Sequence, residues 1–160
     1  MSSDHQPIPK SKPVSFSETI KTEVVLPNDT NPMGILQGGQ LVQWMDIAAA
    51  VTAQTHAEGI CVTASIDTVR FYNAAKIGDI LTIKAKITRA FNTSMEIMVE
   101  ASVRQVLDHT PRPLGLAYFT FVAIDEKAQK RPVPPVAIHS EEDKRNHKAA
   151  GERRAKNTER

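Results

Sequence analysis

The feature that most constrains this chain is a run from 40 to about 56 that contains neither glycine nor proline. It is apolar almost all round, through Leu41, Val42, Trp44, Met45, Ile47, Ala48, Ala49, Ala50, Val51 and Ala53. A helix with apolar side chains on nearly every face is stable only when most of its sides are buried. The run therefore predicts a central helix that the rest of the fold has to cover.

Segments of strand character flank this predicted helix. Before it, residues 17–26 are rich in β-branched side chains and stop at Pro27, which predicts a first strand. After Gly59, four more strands are predicted, at 60–71, 81–88, 95–104 and 116–124. The middle two alternate apolar and polar residues, whereas the last is apolar on both faces, as expected inside a sheet. One long helix and one antiparallel sheet indicate an α+β architecture.

Composition and charge divide the chain into three parts. The 160 residues suffice for one domain, expected at 16–138, and residues 1–15 form an expected flexible arm with three prolines. Residues 1–138 carry 13 basic and 13 acidic side chains, and such a neutral body argues against a nucleic-acid-binding face. Residues 139–160 carry seven basic and five acidic side chains and no large apolar one. We expect that tail to be disordered or a frayed polar helix unless a partner or ligand orders it.

The expected location is the cytoplasm. No run approaches the 18 or so apolar residues of a membrane span, and the N-terminus lacks the apolar core of a secretory signal. Cys61 is the only cysteine, so an intramolecular disulfide and a cysteine-based zinc site are excluded, which fits a reducing compartment. The five histidines show no metal-ligand spacing, and no metal site is predicted.

Asp46 and the Gly38-Gly39 pair are the candidates for chemistry. Asp46 is the only charge in the predicted helix before Glu58, and it follows Gly39 by seven residues, nearly two helical turns. The carboxylate therefore shares a face with the free N–H groups of the helix start, which favour negative charge. Each feature also has a structural explanation: a solvated or interface carboxylate, and a sharp corner between loop and helix.

Four landmarks, in order, resemble the acyl-CoA thioesterases of the hotdog fold, in particular the bacterial acyl-CoA hydrolases and the brain and cytosolic acyl-CoA hydrolases. The first is Pro27-Asn28-Asp29-Thr30-Asn31-Pro32-Met33-Gly34-Ile35-Leu36-Gln37-Gly38-Gly39 followed by Trp44-Met45-Asp46. The others are Ser65-Ile66-Asp67-Thr68-Val69-Arg70-Phe71, Ile77-Gly78-Asp79 and Asn92-Thr93-Ser94-Met95. The resemblance covers residues 17–125. The chain departs from it at Gln37, where relatives often have an aromatic residue or histidine, and in lacking a proline after Phe71.

The resemblance implies a helix wrapped by a five-stranded antiparallel sheet, paired into dimers with a continuous ten-stranded sheet and often assembled into hexamers as trimers of dimers. It places the catalytic carboxylate at Asp46, the loop asparagine at Asn31 of the partner subunit, and the oxyanion position at Gly38 or Gly39. It also implies contacts to an acyl-CoA substrate from Arg70, Phe71, Arg89, Thr93 and Ser94. No nucleic-acid or membrane partner is expected.

The implied reaction is hydrolysis of acyl-CoA to a free fatty acid and CoA, without metal or cofactor. Asp46 would act either as a general base on water or as a nucleophile that forms a mixed anhydride. Two alternatives stay open on the same fold. A non-catalytic acyl-CoA sensor usually adds a DNA-binding helix-turn-helix, for which neither arm is long or apolar enough. A dehydratase or hydratase depends on a histidine at the junction of loop and helix, where this chain has none.

Overall fold

The structure is a computed structural model that describes residues 9–159. Its strands and helices, in chain order, are β1 (Lys12–Pro13), β2 (Thr19–Val24), α1 (Gly38–Ala57), β3 (Cys61–Phe71), β4 (Ile80–Ala90), β5 (Ser94–Arg104), β6 (Arg112–Ala123), β7 (Val136–Ala137) and α2 (Glu141–Thr158). The predicted central helix and all five predicted strands are therefore present. Within the described residues, neither helix combines the length and hydropathy needed to cross a membrane.

Five strands form one antiparallel sheet in the order β2-β4-β5-β6-β3, and α1 packs against all five. This arrangement confirms the predicted hotdog fold. The contact face of α1 is built from small residues, since Ala48, Ala49, Ala53 and Ala57 are all buried. Alanine side chains are short, so the sheet can approach the helix closely and fill the space with its own large side chains. Those that are almost fully buried include Leu81, Ile83, Ile87, Met95, Ile97, Phe119 and Phe121.

The sheet has two edges, β2 and β3, and β3 is the more exposed. It pairs only with β6, and most of its side chains from Val62 to Phe71 are exposed. The pairing of β3 with β6 is irregular at two places, between Thr63 and Ser65 and between Asp67 and Arg70. An edge strand leaves a row of backbone N–H and C=O groups unpaired, so β3 is open to pairing with another chain.

The C-terminal segment differs from the prediction of a disordered or frayed tail. Residues 141–158 form α2, capped by Ser140, whose Oγ accepts a hydrogen bond of 3.0 Å from the Asp143 amide. The helix lies on the face of the sheet opposite α1, and its Ala150 is fully buried. Arg153 anchors it, donating from Nε (3.0 Å) and Nη2 (2.7 Å) to the buried Glu96 carboxylate. Its guanidinium also lies 3.7 Å from the Tyr118 ring centre.

The prediction was wrong because it judged the tail by its lack of large apolar side chains. Docking here uses charge complementarity instead. Glu96 points away from the core, between the inward-facing Met95 and Ile97, and it needs a cation once it is covered. Lys86 adds a second ion pair, 2.7 Å from Glu142 at the start of α2.

The expected N-terminal arm is partly ordered as well. β1 pairs in parallel with β7, and Val14 is buried. Lys12 contacts the C-terminal end of α1. Its Nζ forms a salt bridge of 2.9 Å with Glu58 and donates a hydrogen bond of 3.0 Å to the His56 carbonyl. The expectation of a flexible arm over 1–15 was therefore wrong for residues 12–15, while residues 1–8 lie outside the described residues.

His56 fixes the same, C-terminal end of α1 from inside the fold. Its side chain is fully buried, and its Nε2–H donates to the Pro134 carbonyl at 2.6 Å. Burial lowers the pKa of His56, and the nearby Lys12 charge lowers it further, although the bond to Pro134 opposes the shift. His56 is therefore neutral in the folded protein at pH 7 and fixes the segment before β7 against the helix.

We predict that Arg153→Leu destabilises the protein by about 2 kcal/mol, because it leaves the Glu96 carboxylate buried with only the Thr88 hydroxyl as a partner. Urea unfolding measures the effect. Lys148→Leu, at an exposed position of the same helix, is the matched control and should change stability by less than about 0.5 kcal/mol. An Arg153→Leu variant as stable as the wild type would contradict the anchoring role of this pair.

Candidate functional site

The loop before α1 holds Asn31 in a fixed conformation. The Asn31 Oδ1 accepts hydrogen bonds from the amides of Met33 (2.9 Å) and Ile35 (3.2 Å). The Asn31 carbonyl accepts another from Gly34, whose φ of +73° is a left-handed conformation that glycine adopts without strain. The side-chain oxygen is therefore used within the loop, and the amide Nδ2–H₂ is the part of Asn31 that can act on a second group.

Gln37 joins this loop to the start of α1. Its amide donates to the Asp29 carbonyl at 2.9 Å, and its Nε2 donates to the Thr30 carbonyl at 3.0 Å. Because its side chain is bound there, it does not cap the helix. The first intrahelical bond runs from the Leu41 amide to the Gln37 carbonyl, so the exposed amides of Gly38 and Gly39 have no acceptor within the helix. These are the free N–H groups expected from the sequence.

A cleft of about 540 Å³ opens at this end of α1. Its wall is mostly apolar and includes Leu36, Leu41, Phe71, Tyr72 and Leu114. Gly38 also lines the cleft, and a Cβ there would lie 3.3 Å from Cζ of Phe71, so glycine lets the ring lie close to the helix start. Among the described residues, no atom outside the neighbouring helical backbone lies within 4 Å of the corresponding position at Gly39. The structure thus brings Phe71 next to Gly38, one of the two predicted oxyanion glycines.

Asp46 lies two helical turns further along α1 and is half-buried. Its Oδ1 accepts a hydrogen bond of 2.9 Å from the Thr63 hydroxyl, on the edge strand β3. Among the described residues, no hydrogen bond to the other carboxylate oxygen, Oδ2, is formed. Sequence reasoning missed Thr63, because it is one of several similar residues in its strand. The resemblance gave no signal for it, and only the packing of β3 beside α1 selects it.

Apolar side chains near this carboxylate are open to solvent in the single chain. Ile47 and Val51 on α1 are 44% and 46% exposed, and Ile66, on the same face of β3 as Thr63, is 41% exposed. An apolar face next to an unpaired strand edge is typical of an interface between protein chains. The surface formed by these three residues is called the α1–β3 face below.

Among residues 9–159, no hydrogen bond joins Asn31 to Asp46. The side-chain hydrogen bonds of Asn31 stay in its own loop, and that of Asp46 goes to Thr63 on β3.

The predicted substrate-binding residues other than Phe71 lie outside the cleft at the helix start. Arg70 lines a cleft of about 400 Å³ between β3 and the end of α2. The Nη1 of Arg89 donates to the His147 carbonyl at 3.2 Å, and the Ser94 hydroxyl accepts from Arg154 at 3.2 Å. The Thr93 carbonyl accepts from the Ala123 amide at 3.0 Å. Arg70, Arg89 and Ser94 therefore lie beside α2, and Thr93 directly precedes Ser94.

Cys61 is a core thiol, buried at the start of β3. Burial raises the pKa of the Cys61 thiol to about 11, although the Arg131 charge opposes the shift. A thiol in that state carries almost no thiolate at neutral pH, so it is no candidate for a nucleophile.

Comparisons with known proteins agree with this geometry. A family model described as Thioesterase superfamily matches residues 33–106. An acetyl-coenzyme A thioesterase of Mus musculus is 39% identical over 141 residues, which are 88% of this chain but only 25% of that protein. The chain thus spans about a quarter of the length of this curated relative.

Two solved structures match over nearly their whole length. A hexameric acyl-CoA thioesterase is 38% identical with a TM-score of 0.90, over 94% of this chain and 96% of that one. The second is an acyl-CoA hydrolase from Staphylococcus aureus in complex with butyryl coenzyme A, coenzyme A and coenzyme A disulfide. It is 34% identical with a TM-score of 0.87, and the match covers 92% of this chain and 90% of that one. The family model, the sequence identities and the fold all point to the same family. This chain belongs to the hotdog-fold acyl-CoA thioesterases of the thioesterase superfamily.

Proposed function

We propose that this chain hydrolyses acyl-CoA thioesters to a free fatty acid and CoA, with Asp46 as the general base. The observation that carries the proposal is that Asp46 and the free amides of Gly38 and Gly39 lie on the same helix, α1. Thr63, on β3, holds the Asp46 carboxylate by a hydrogen bond, and the two amides are free to bind an oxyanion. The similar Staphylococcus aureus hydrolase, solved with butyryl coenzyme A, supports acyl-CoA as the substrate class.

The start of α1 would bind the thioester carbonyl oxygen. As water adds to the carbonyl carbon, negative charge grows on this oxygen, and the free amides of Gly38 and Gly39 together with the helix dipole stabilise it. Losing one such donor typically slows catalysis by about 10²–10³. Collapse of the tetrahedral intermediate then expels CoA as its thiolate, a good leaving group that needs no strong general acid.

Thr63 fixes the orientation of the Asp46 carboxylate. Because its hydroxyl occupies Oδ1, Oδ2 is the oxygen that would take a proton from the attacking water. The hydrogen bond also offsets part of the cost of holding a charge on a helix whose other faces are buried.

Asn31 would act from the partner subunit, orienting the water or the thioester carbonyl through its Nδ2–H₂. The α1–β3 face supports this arrangement, because an apolar surface and an unpaired strand edge flank Asp46. Pairing two β3 edges would give a dimer with a continuous ten-stranded sheet. The similar thioesterase described as hexameric supports a further assembly into a trimer of dimers.

The remaining parts of the proposal concern binding and location. Phe71 lines the cleft in which we place the thioester, while Arg70, Arg89, Thr93 and Ser94 are proposed contacts to the CoA nucleotide. The proposed location is the cytoplasm, with neither nucleic acid nor membrane as a partner.

Asp46→Asn should lower kcat for butyryl-CoA hydrolysis by at least 10²-fold, because the amide keeps the shape of the carboxylate but cannot accept the proton of water. Release of the CoA thiol, followed with a thiol reagent from acetyl-CoA to palmitoyl-CoA, measures the rate. Asp108→Asn, on an exposed turn, is the matched control and should retain wild-type activity. More than about a tenth of the wild-type rate in Asp46→Asn would assign the base to the wrong residue.

Thr63→Val should lower kcat by about tenfold while the protein stays folded, because valine has the same shape but cannot hydrogen-bond the carboxylate. Thr63→Ser keeps the hydroxyl and should retain the wild-type rate. If Thr63→Val behaves as Thr63→Ser does, the hydrogen bond has no role in positioning Asp46.

Mixing Asn31→Ala subunits with Asp46→Ala subunits, each inactive alone, should restore part of the activity. A mixed dimer would contain one site in which both residues are intact and one in which both are missing. Subunit exchange is verified with two different affinity tags before the thiol-release assay. No recovered activity in the verified mixed dimer would rule out a site shared between subunits.

A further inference from the structure

The edge strand β3 contains one residue in a strained conformation, Thr68. Its φ is +47°, in the left-handed region that a β-branched side chain rarely adopts. Between Asp67 and Arg70, β3 has two residues where its partner strand β6 has only Ala117. This is a β-bulge, and glycine is the usual residue where a bulge needs a left-handed backbone. Such strain persists only where the surrounding structure holds it, and it is common at functional sites.

The bulge separates two parts of β3 that contact different elements. Asp67, just before the bulge, faces α2, because its Oδ2 accepts a hydrogen bond from Nδ2 of Asn157. Phe71, just after the bulge, lies on the other side of the sheet, against Gly38 at the start of α1. In a regular strand, residues 67 and 71 would share one face, since side chains alternate with a period of two. The extra residue in the bulge is what places them on opposite faces.

Two glycines let the end of β3 lie close to α1. Gly115, on β6, pairs with Phe71. A Cβ at Gly115 would lie 3.1 Å from the Arg70 carbonyl oxygen and 3.3 Å from Cδ2 of Leu41 on α1. Gly38 makes room for the Phe71 ring in the same way. The segment after the bulge is therefore packed more closely against the start of α1 than side chains at these two positions would allow.

We propose that the bulge at Thr68 positions the Phe71 ring against the first amide of α1. Asn157 of α2 holds the bulge in place through Asp67. A bulge bends its strand and increases the local twist, so it changes the direction of the side chains that follow. The ring would keep water away from the Gly38 amide, and a hydrogen bond to a developing negative charge is stronger where water is excluded. Thr68 and Asn157 are thus positioning residues that act through Phe71.

The inference rests on the proposed function, since Phe71 lines the cleft in which we place the thioester. Deleting Thr68 removes the extra residue but keeps Asp67 and Phe71 in register with β6 and on their present faces, so it removes only the bend. We expect kcat for butyryl-CoA to fall about tenfold, with KM within about twofold of the wild type, because the cover of the oxyanion amide matters most in the transition state. Thr68→Gly keeps the bulge without strain and, as the matched control, should retain the wild-type kcat.

Combination with Phe71→Ala shows whether these residues act through the ring. Phe71→Ala alone should lower kcat by a similar factor, and deleting Thr68 as well should lower it no further. Asn157→Ala should lower kcat about threefold in the wild type and have no effect in Phe71→Ala. Asn146→Ala, about three turns earlier on the same helix, is its control and should change nothing. Because Asn157 is an exposed side chain outside β3, its variants decide the question if the deletion impairs folding or assembly.

The position of the ring also has a readout that does not depend on catalysis. An aromatic ring shifts the NMR resonance of a nearby amide, and labelling with ¹⁵N-glycine marks only the seven glycines. Deleting Thr68 should move the Gly38 amide resonance towards its position in Phe71→Ala, whereas Thr68→Gly should leave it unchanged.

Three results would overturn the inference: a folded deletion variant with the wild-type kcat, losses in kcat that add to those of Phe71→Ala, or a Gly38 resonance that the deletion does not move. A wild type that hydrolyses no thioester would refute the proposed function instead. The Gly38 resonance would then still test whether the bulge positions Phe71.

Discussion

The packing of α1 against the sheet is the interaction on which the rest of the structure depends. A face of alanines brings the helix close to all five strands, whose large side chains fill the core. Because both its ends are tied as well, through Gln37 at the start and His56 at the end, α1 is a rigid base for the site. The first amides and the Asp46 carboxylate are therefore held at a fixed spacing along one helix, which is the preorganisation that stabilising a developing charge requires.

The same packing leaves the single chain incomplete. The sheet covers α1 on most sides, but Ile47 and Val51 stay exposed beside Asp46, next to the open edge of β3. Exposed apolar surface and an unpaired edge are unfavourable for an isolated chain and are removed together when two chains pair. The proposed shared site would follow from how the fold is stabilised, since the exposed apolar surface lies next to the proposed base.

Much of this could be predicted from the sequence, and the failures have a common cause. The apolar run indicated α1, alternation indicated the strands, and the spacing of Gly39 and Asp46 placed them on one face. The missing pieces were polar contacts between distant parts of the chain. Thr63 reaches Asp46 only because an edge strand packs beside the helix, and α2 docks through polar contacts such as that of Glu96, on the outer face of β5, with Arg153. Hydrophobic periodicity carries no information about such pairs, so a charged segment was mistaken for a disordered one.

A crystal structure of the Asp46→Asn variant with butyryl-CoA would test the proposed site most directly. We expect the thioester carbonyl oxygen about 3 Å from the amide of Gly38 or Gly39. We also expect residue 46 beside the carbonyl carbon, with Asn31 of the partner subunit completing the site. A thioester bound away from the start of α1, or a site made from the Asn31 and residue 46 of a single chain, would contradict the proposal.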